Sequence, residues 1–347
     1  MKADRGHAGI CVLVLILTLG CGQSVSSNPI LPMHELTGDV TKSSGDPWTT
    51  IEPEGKSVDL KSPSDPAVKP HWSPDPSEPY SVVVEEFYVT SANGNEIFAD
   101  VHRPEFASPE TPCHGLILVP GGTQKGDAWH AEYLKCGSNH LAAAGFLVMD
   151  FDFQGRGKSE GEEDYCGPTH REDLRAVIEY CAKRPDVLPG GIGLVTSSFG
   201  CTVASGTLAS WPDLPVRFWI DKEGSQNRFV STQWDDPFWV ETWGGHDTSD
   251  IEFWREREAI RFQPHITVPY IRVQSDLDHA LDYFYVDHAI AMVNAALSGE
   301  SPYCRMNHNP PNIRLSRVYK DTYQYENVYH LSEALYDYVL EAGTMEF

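Results

Sequence analysis

Short apolar runs, too brief for helices, alternate along this chain with segments of helical periodicity. Leu116-Ile117-Leu118-Val119 has no polar position, as a strand buried on both faces requires. Residues 146–151, 192–195, 216–220 and 269–274 are predicted as further strands, and residues 313–318 as the last. Residues 129–144, 171–182, 200–209, 280–297 and 331–340 are predicted as helices; Leu174, Val177, Ile178 and Cys181 recur on one helical face. Ahead of them, residues 81–89 and 96–102 make a predicted hairpin turning at Asn93-Gly94. Such alternation predicts an α/β architecture, a mostly parallel central sheet with helices on both faces. Ligands of such sheets bind beyond the C-terminal strand ends, so motifs there carry most weight.

The chain has 347 residues, of which 41% are hydrophobic, enough for a sizeable core and too many for wholesale disorder. Its 26 basic and 50 acidic residues give a net charge of -24. That balance excludes nucleic acid, whose phosphates need a basic face, and disfavours anionic lipid surfaces. Small-molecule or neutral substrates remain as partners. At the N-terminus Lys2 and Arg5 precede an apolar run over residues 10–19 that ends at Gly20-Cys21, the make-up of a secretory signal. The run is too short to span a bilayer, which takes roughly 20 residues of helix. Leu17-Thr18-Leu19-Gly20-Cys21 also resembles a bacterial lipoprotein signal, in which Cys21 would be lipidated; Thr18 and Leu19 stand where Leu and a small residue are usual. The expected organisation is a signal over residues 1–21, a Pro/Ser-rich tether over residues 22–79 and a folded domain over residues 80–347. The expected location is the periplasm or cell envelope, with a lipid anchor as the one membrane contact, and otherwise the protein is expected to be secreted.

Chemistry concentrates at residues 192–200, Ile-Gly-Leu-Val-Thr-Ser-Ser-Phe-Gly, a strand entering a helix through a tight turn. A serine at such a turn exposes its Oγ above the sheet, before a helix N-terminus that favours developing negative charge. The segment resembles the G-x-S-x-G nucleophile elbow of the α/β-hydrolase family, which puts Ser198 in the nucleophile position; Thr196 replaces the first Gly. Other segments resemble the same family in the required order. Pro120-Gly121-Gly122-Thr123, after the strand at 116–119, is similar to its oxyanion loop, with Pro120 where many members have His. The resemblance makes the N–H groups of Gly122 and Phe199 the oxyanion donors. Residues 152–161, Asp-Phe-Gln-Gly-Arg-Gly-Lys-Ser-Glu-Gly, are similar to the structural loop D-x-x-G-x-G-x-S-x-G. In this family the acid follows the seventh strand and the base the eighth. The resemblance therefore implies Asp278 as acid, with Asp276 and Asp221 as rivals, and His330 as base. His279 lies beside that acid rather than beyond the last strand, and His308 lies before it.

The implied fold is an α/β-hydrolase with a short cap after the sixth strand, over about residues 221–268. Trp234, Trp239, Trp243 and Trp254 within it would line an apolar substrate pocket or pack the cap onto the sheet. Six cysteines lie beyond Cys11 and Cys21, and some could be bridged in an exported protein; Cys201, next to the elbow, is expected as a free buried thiol. No C-x-x-C or H-E-x-x-H spacing occurs, so no catalytic metal and no cofactor are expected. Gly155-Arg156-Gly157-Lys158-Ser159 is not a phosphate loop, because Asp152 stands where its first Gly would be. The sequence thus predicts an exported serine hydrolase cleaving a carboxylic ester through an acyl-enzyme. A peptidase or amidase of the same fold is the alternative, and a binding lipoprotein on a hydrolase scaffold the other.

Overall fold

A computed structural model describes residues 77–275, 278–279, 286–316 and 328–347, the side chains of residues 328–330 apart. Cys21, the signal and nearly all of the predicted tether lie outside the described residues, as do Asp276 and the side chain of His330. The described residues belong to one unit, Ser62–Phe347.

Strands β1 (Val82–Thr90) and β2 (Glu96–Pro104) pair antiparallel around the turn at Asn93-Gly94. They are followed by β3 (Cys113–Val119), β4 (Leu147–Phe151), β5 (Val187–Ser197), β6 (Val216–Lys222), β7 (Tyr270–Val273) and β8 (Cys304–Met306). All eight form one sheet in the order β1-β2-β4-β3-β5-β6-β7-β8, parallel from β4 to β8. Every residue of β3 and β4 is buried, as the apolar run Leu116–Val119 of β3 requires, although β4 also buries the polar Asp150. Helices α1 (Ser138–Ala143), α2 (Pro168–Lys183) and α3 (Gly200–Ser210) come before β6. Four short helices, α4 (Arg228–Ser231), α5 (Pro237–Thr242), α6 (Ile251–Arg255) and α7 (Ala259–Phe262), lie between β6 and β7, and α8 (Asp287–Ser298) and α9 (Val328–Thr344) follow. The core divides into two apolar layers: Leu174, Val177 and Ile178 of α2 with Val203 of α3 in one, Leu141 of α1 and Leu335 of α9 in the other.

Two predicted elements are corrected. The helix expected over residues 129–144 is helical only in its last part. Its first part is a string of turns that folds Gly137 back onto Trp129, where an added Cβ would stand 2.7 Å from the Trp129 carbonyl oxygen. Among the described residues the last strand is Cys304–Met306; residues 313–316 form no strand, and residues 317–318 of the expected one lie outside the described residues. Ile313 is 42% exposed, and Leu315 is instead held to α8, its N–H donating to Asn294 Oδ1 (2.8 Å) and its carbonyl accepting from Asn294 Nδ2 (3.0 Å).

Beneath β6 and β7 lies a buried ion pair, Arg272 Nη1 to Asp221 Oδ2 at 2.6 Å, with both side chains fully buried. Tyr270 Oη donates to the same carboxylate oxygen (2.8 Å), and Arg272 also donates to the Gly224 carbonyl (2.9 Å). Removing one partner leaves the other charge buried and unpaired. Arg272→Met is therefore expected to destabilise the protein by about 3–5 kcal/mol, read as a fall in the denaturation midpoint. A change within error would show that the pair contributes nothing.

Candidate active site

The elbow is built by backbone geometry. Ser198, between β5 and α3, has φ +52°, a left-handed conformation that a non-glycine residue adopts at a cost. Its N–H donates to the Lys222 carbonyl (2.8 Å), tying the turn to the end of β6. Glycine is required on both sides of it: a Cβ on Gly200 would stand 2.6 Å from the Pro120 carbonyl oxygen, and one on Gly121 would stand 2.8 Å from the Ser198 Cβ. The loop after β3 is thus pressed against the elbow. Among the described residues, neither the Gly122 nor the Phe199 N–H has a hydrogen-bond partner.

Thr196, where the elbow pattern has Gly, is fully buried. Its hydroxyl donates to Asp221 Oδ1 (3.3 Å) and accepts from Trp219 Nε1 (3.0 Å). The departure therefore buries a satisfied hydroxyl between β5 and β6 instead of opening a void.

The group that meets Ser198 is His279. Ser198 Oγ and His279 Nε2 are 2.8 Å apart, and His279 Nδ1 lies 2.9 Å from Glu223 Oε2. Glu223, just past β6, is 2% exposed and accepts from the Ser275 hydroxyl and from the Ser275 N–H (3.3 Å). With a carboxylate on Nδ1, that nitrogen carries the proton and Nε2 presents its lone pair to the hydroxyl. Burial pushes the Glu223 carboxyl up, but His279, Lys222 and Ser275 outweigh burial and hold it below the usual carboxylate range. Desolvation likewise disfavours the charged form of His279; the hydrogen bond and charge of Glu223, with Asp278 behind it, outweigh that and Lys222, and raise the imidazole above its ordinary value.

This arrangement brings to Ser198 an imidazole and a carboxylate other than those expected from the sequence. Asp278 Oδ1 stays 3.7 Å from His279 Nδ1, and its other oxygen accepts from Gln274 Nε2 (2.8 Å) and faces His288 Nε2 (3.2 Å). Asp221 is fully occupied by Arg272, Tyr270 and Thr196 and cannot orient a catalytic imidazole. His330 falls in the first turn of α9, with its side chain outside the described residues. His308, which follows β8 once that strand is placed at Cys304–Met306, is exposed and packs on Tyr338 (ring centroids 5.3 Å apart). Sequence reasoning passes over Glu223 although it lies at a C-terminal strand end, two residues beyond Asp221. It sets His279 aside for adjoining Asp278.

The aromatic cap divides. Trp254 and Trp243 are 0% and 2% exposed and pack around Phe199, with ring centroids 6.2 and 4.1 Å from it. They fasten the cap to the elbow and do not line an open pocket. Trp234 is 47% exposed and Trp239 half-buried, and no described contact brings either to Ser198. Trp243→Ala should cost about 3–5 kcal/mol through the cavity it leaves beside Phe199, seen in the denaturation midpoint; a loss below about 1 kcal/mol would mean that the cap is held elsewhere.

All six cysteines of the folded region are free and buried. Burial pushes the thiols up, Cys113 to about 12 and Cys166 to about 11, so neither is a nucleophile at neutral pH. The loop at residues 152–161 supports the site from behind. Asp152 accepts from the N–H groups of Gly126 (2.9 Å) and Lys158 (2.8 Å), and Arg156 bridges Glu163 (2.6 Å) to the Gln124 carbonyl (3.2 Å). No helix of the described residues is long and apolar enough to cross a membrane.

Residues 72–216 match the family model described as X-Pro dipeptidyl-peptidase (S15 family). That stretch ends at the first residue of β6; it includes Ser198 but neither Glu223 nor His279. Among curated proteins none matches the sequence. In fold the chain is similar to prolyl oligopeptidase B of Galerina marginata, with TM-score 0.54 and 12% identity over 79% of this chain and 38% of that one. It is similar to an acylaminoacyl peptidase of Pyrococcus horikoshii, with TM-score 0.51 and 14% identity over 65% and 36%. It is also similar to an esterase of Pyrococcus furiosus, with TM-score 0.50 and 17% identity over 70% and 86%. This chain thus spans 38% and 36% of the two peptidases.

Proposed function

We propose that this chain, which has the α/β-hydrolase fold, is a serine hydrolase in which Ser198 is the nucleophile, His279 the base and Glu223 the orienting acid. The observation that carries the proposal is the contact of Ser198 Oγ with His279 Nε2 at 2.8 Å, backed by Glu223 on Nδ1 at 2.9 Å. His279 takes the hydroxyl proton as Oγ attacks the carbonyl carbon of the substrate. Glu223 stabilises the imidazolium, and the Gly122 and Phe199 N–H groups receive the oxyanion. As the tetrahedral adduct collapses, His279 passes the proton to the leaving group. Water, deprotonated by the same imidazole, then releases the acid from the acyl-enzyme.

The bond cleaved is a carboxylic ester of a small acyl substrate in the first reading, in line with the fold likeness to an esterase of which this chain spans 86%. The family model favours a second reading, a peptide bond. A panel of short-chain and aromatic p-nitrophenyl esters set against X-Pro p-nitroanilides separates the two; higher kcat/KM on the anilides would replace the ester by the peptide. Residues 1–21 are proposed to export the protein, with Cys21 as lipid attachment point; radiolabelled palmitate failing to enter the full chain in a bacterial host would remove the anchor.

The pH profile follows from the sign of the His279 shift. Its neutral form is the base and Glu223 and Asp278 favour the charged form against Lys222, so activity is lost as pH falls through a value above the ordinary imidazole pKa. The acidic limb of kcat/KM is expected above about pH 6.5, the unperturbed value, and Glu223→Gln should move it down. A limb that does not move would detach Glu223 from His279.

A further inference from the structure

A second cluster of polar side chains is buried away from Ser198, on the face of β2 and β4 that carries α1. Asp100 and His102 alternate on β2, so both point to one face. Asp150 of β4 stands directly opposite Asp100 in the antiparallel register. His130 reaches them from the turn that follows the loop of Gly121 and Gly122.

The two imidazoles present Nε2 to each other at 3.2 Å. Asp150 Oδ2 is 3.0 Å from His130 Nε2 and 3.5 Å from His102 Nε2, and Asp100 Oδ2 is 3.8 Å from His130 Nε2. One ligand atom from each of the four residues lies within 4.8 Å of all the others. A tetrahedral zinc ion with bonds of about 2.0–2.1 Å holds its ligand atoms about 3.3 Å apart, in the middle of these separations.

The supporting shell fits as well. His102 Nδ1 donates to Asn139 Oδ1 (2.8 Å), which leaves Nε2 as the coordinating nitrogen, and Ser138 Oγ donates to Asp150 Oδ2 (2.5 Å). Two observations call for a cation. Asp100 Oδ1 is buried without a hydrogen-bond partner among the described residues, in a residue 8% exposed. Two carboxylates face each other in the interior, and among the described ion pairs they meet only the two imidazoles. The His130 side chain is 31% exposed and opens the cluster to solvent.

We propose that Asp100, His102, His130 and Asp150 form a four-coordinate structural site for a borderline divalent transition ion, with zinc as the best fit. Two neutral imidazoles and two carboxylates balance its charge, and borderline ions favour such nitrogen and oxygen donors over the all-oxygen shells of calcium and magnesium. The ion would pin the turn at His130 to β2 and β4, behind the loop after β3. The site is independent of the serine chemistry.

The test uses the whole chain, stripped with a chelator and titrated with zinc, cobalt, calcium and magnesium. One equivalent of zinc per chain is expected, with a rise in Tm of about 5 °C or more at a hundredfold excess over Kd. His102→Gln and His130→Gln should each weaken zinc binding by at least about 100-fold, the upper end of what even a supporting residue costs. Zinc bound undiminished in both variants, binding of calcium or magnesium alone, or no stoichiometric zinc and an unmoved Tm would each overturn the proposal. Should the variants fail to fold, X-ray absorption of the zinc-loaded wild type decides: two imidazoles and two oxygens support the site, and sulfur ligands or a single imidazole refute it.

Discussion

Ser198→Ala is expected to abolish labelling by a fluorophosphonate probe and to lower kcat/KM by about 10^4-fold or more, with the Tm unchanged. The magnitude follows from what the residue supplies. Without Oγ no acyl-enzyme can form, and only substrate binding and the oxyanion donors remain. The fold should not notice: an alanine in this place would carry the same left-handed backbone, and the N–H bond to the Lys222 carbonyl does not involve the side chain. Labelling of wild type alone fixes Ser198 as an activated nucleophile. Equal labelling of both proteins would place the reactive serine elsewhere. No labelling of either, with every ester and anilide inert, would leave a binding protein on a hydrolase scaffold.

The second large effect separates two bases. His279→Ala should lower kcat by about 10^3-fold or more, since general-base catalysis and proton return to the leaving group are both lost. Glu223→Gln should cost about 10^2- to 10^4-fold, because an amide can neither hold the required tautomer nor stabilise the imidazolium. Asp278→Asn is expected within about tenfold of wild type, its carboxylate being 3.7 Å from the imidazole and engaged by Gln274, and His330→Ala within about threefold. The reverse pattern, with His330 and Asp278 severe and His279 mild, would return the acid and base to the positions that follow the seventh and last strands. Four single variants assayed on one ester therefore decide the assignment.

Most of the fold is legible in the residues because its signals are local. The all-apolar run before Pro120 is a strand buried on both faces, Asn93-Gly94 closes a hairpin, and α2 carries its apolar residues on one face. The failures occur where local pattern and tertiary environment diverge. Residues 129–137 have helical composition, but the chain is bent there to bring His130 to β4 and Gly137 to Trp129. β8 is three residues at the sheet edge, with Arg305 between Cys304 and Met306, too short for alternation to register. The cap aromatics could be counted in the sequence, yet which of them face solvent depends on Phe199, which takes Trp243 and Trp254 as its packing partners.

By itself the sequence determined most of the strands, the elbow with Ser198 at its tip and the glycine-lined loop after β3, since each is set by neighbours a few residues apart. Tertiary structure decided which carboxylate and which imidazole reach that serine. Ser198 follows β5, Glu223 follows β6 and His279 lies six residues beyond β7, so the 2.8 Å and 2.9 Å contacts depend on how three connections converge above the sheet. It likewise decided that Asp221, equally acidic on paper, is taken by Arg272. The Asp100 and Asp150 pairing arises from strand register, which places side chains far apart in the chain on one face. Spacing along the chain carries no trace of such meetings, because hydrogen bonds and metal ligation act over about 2–3 Å through space.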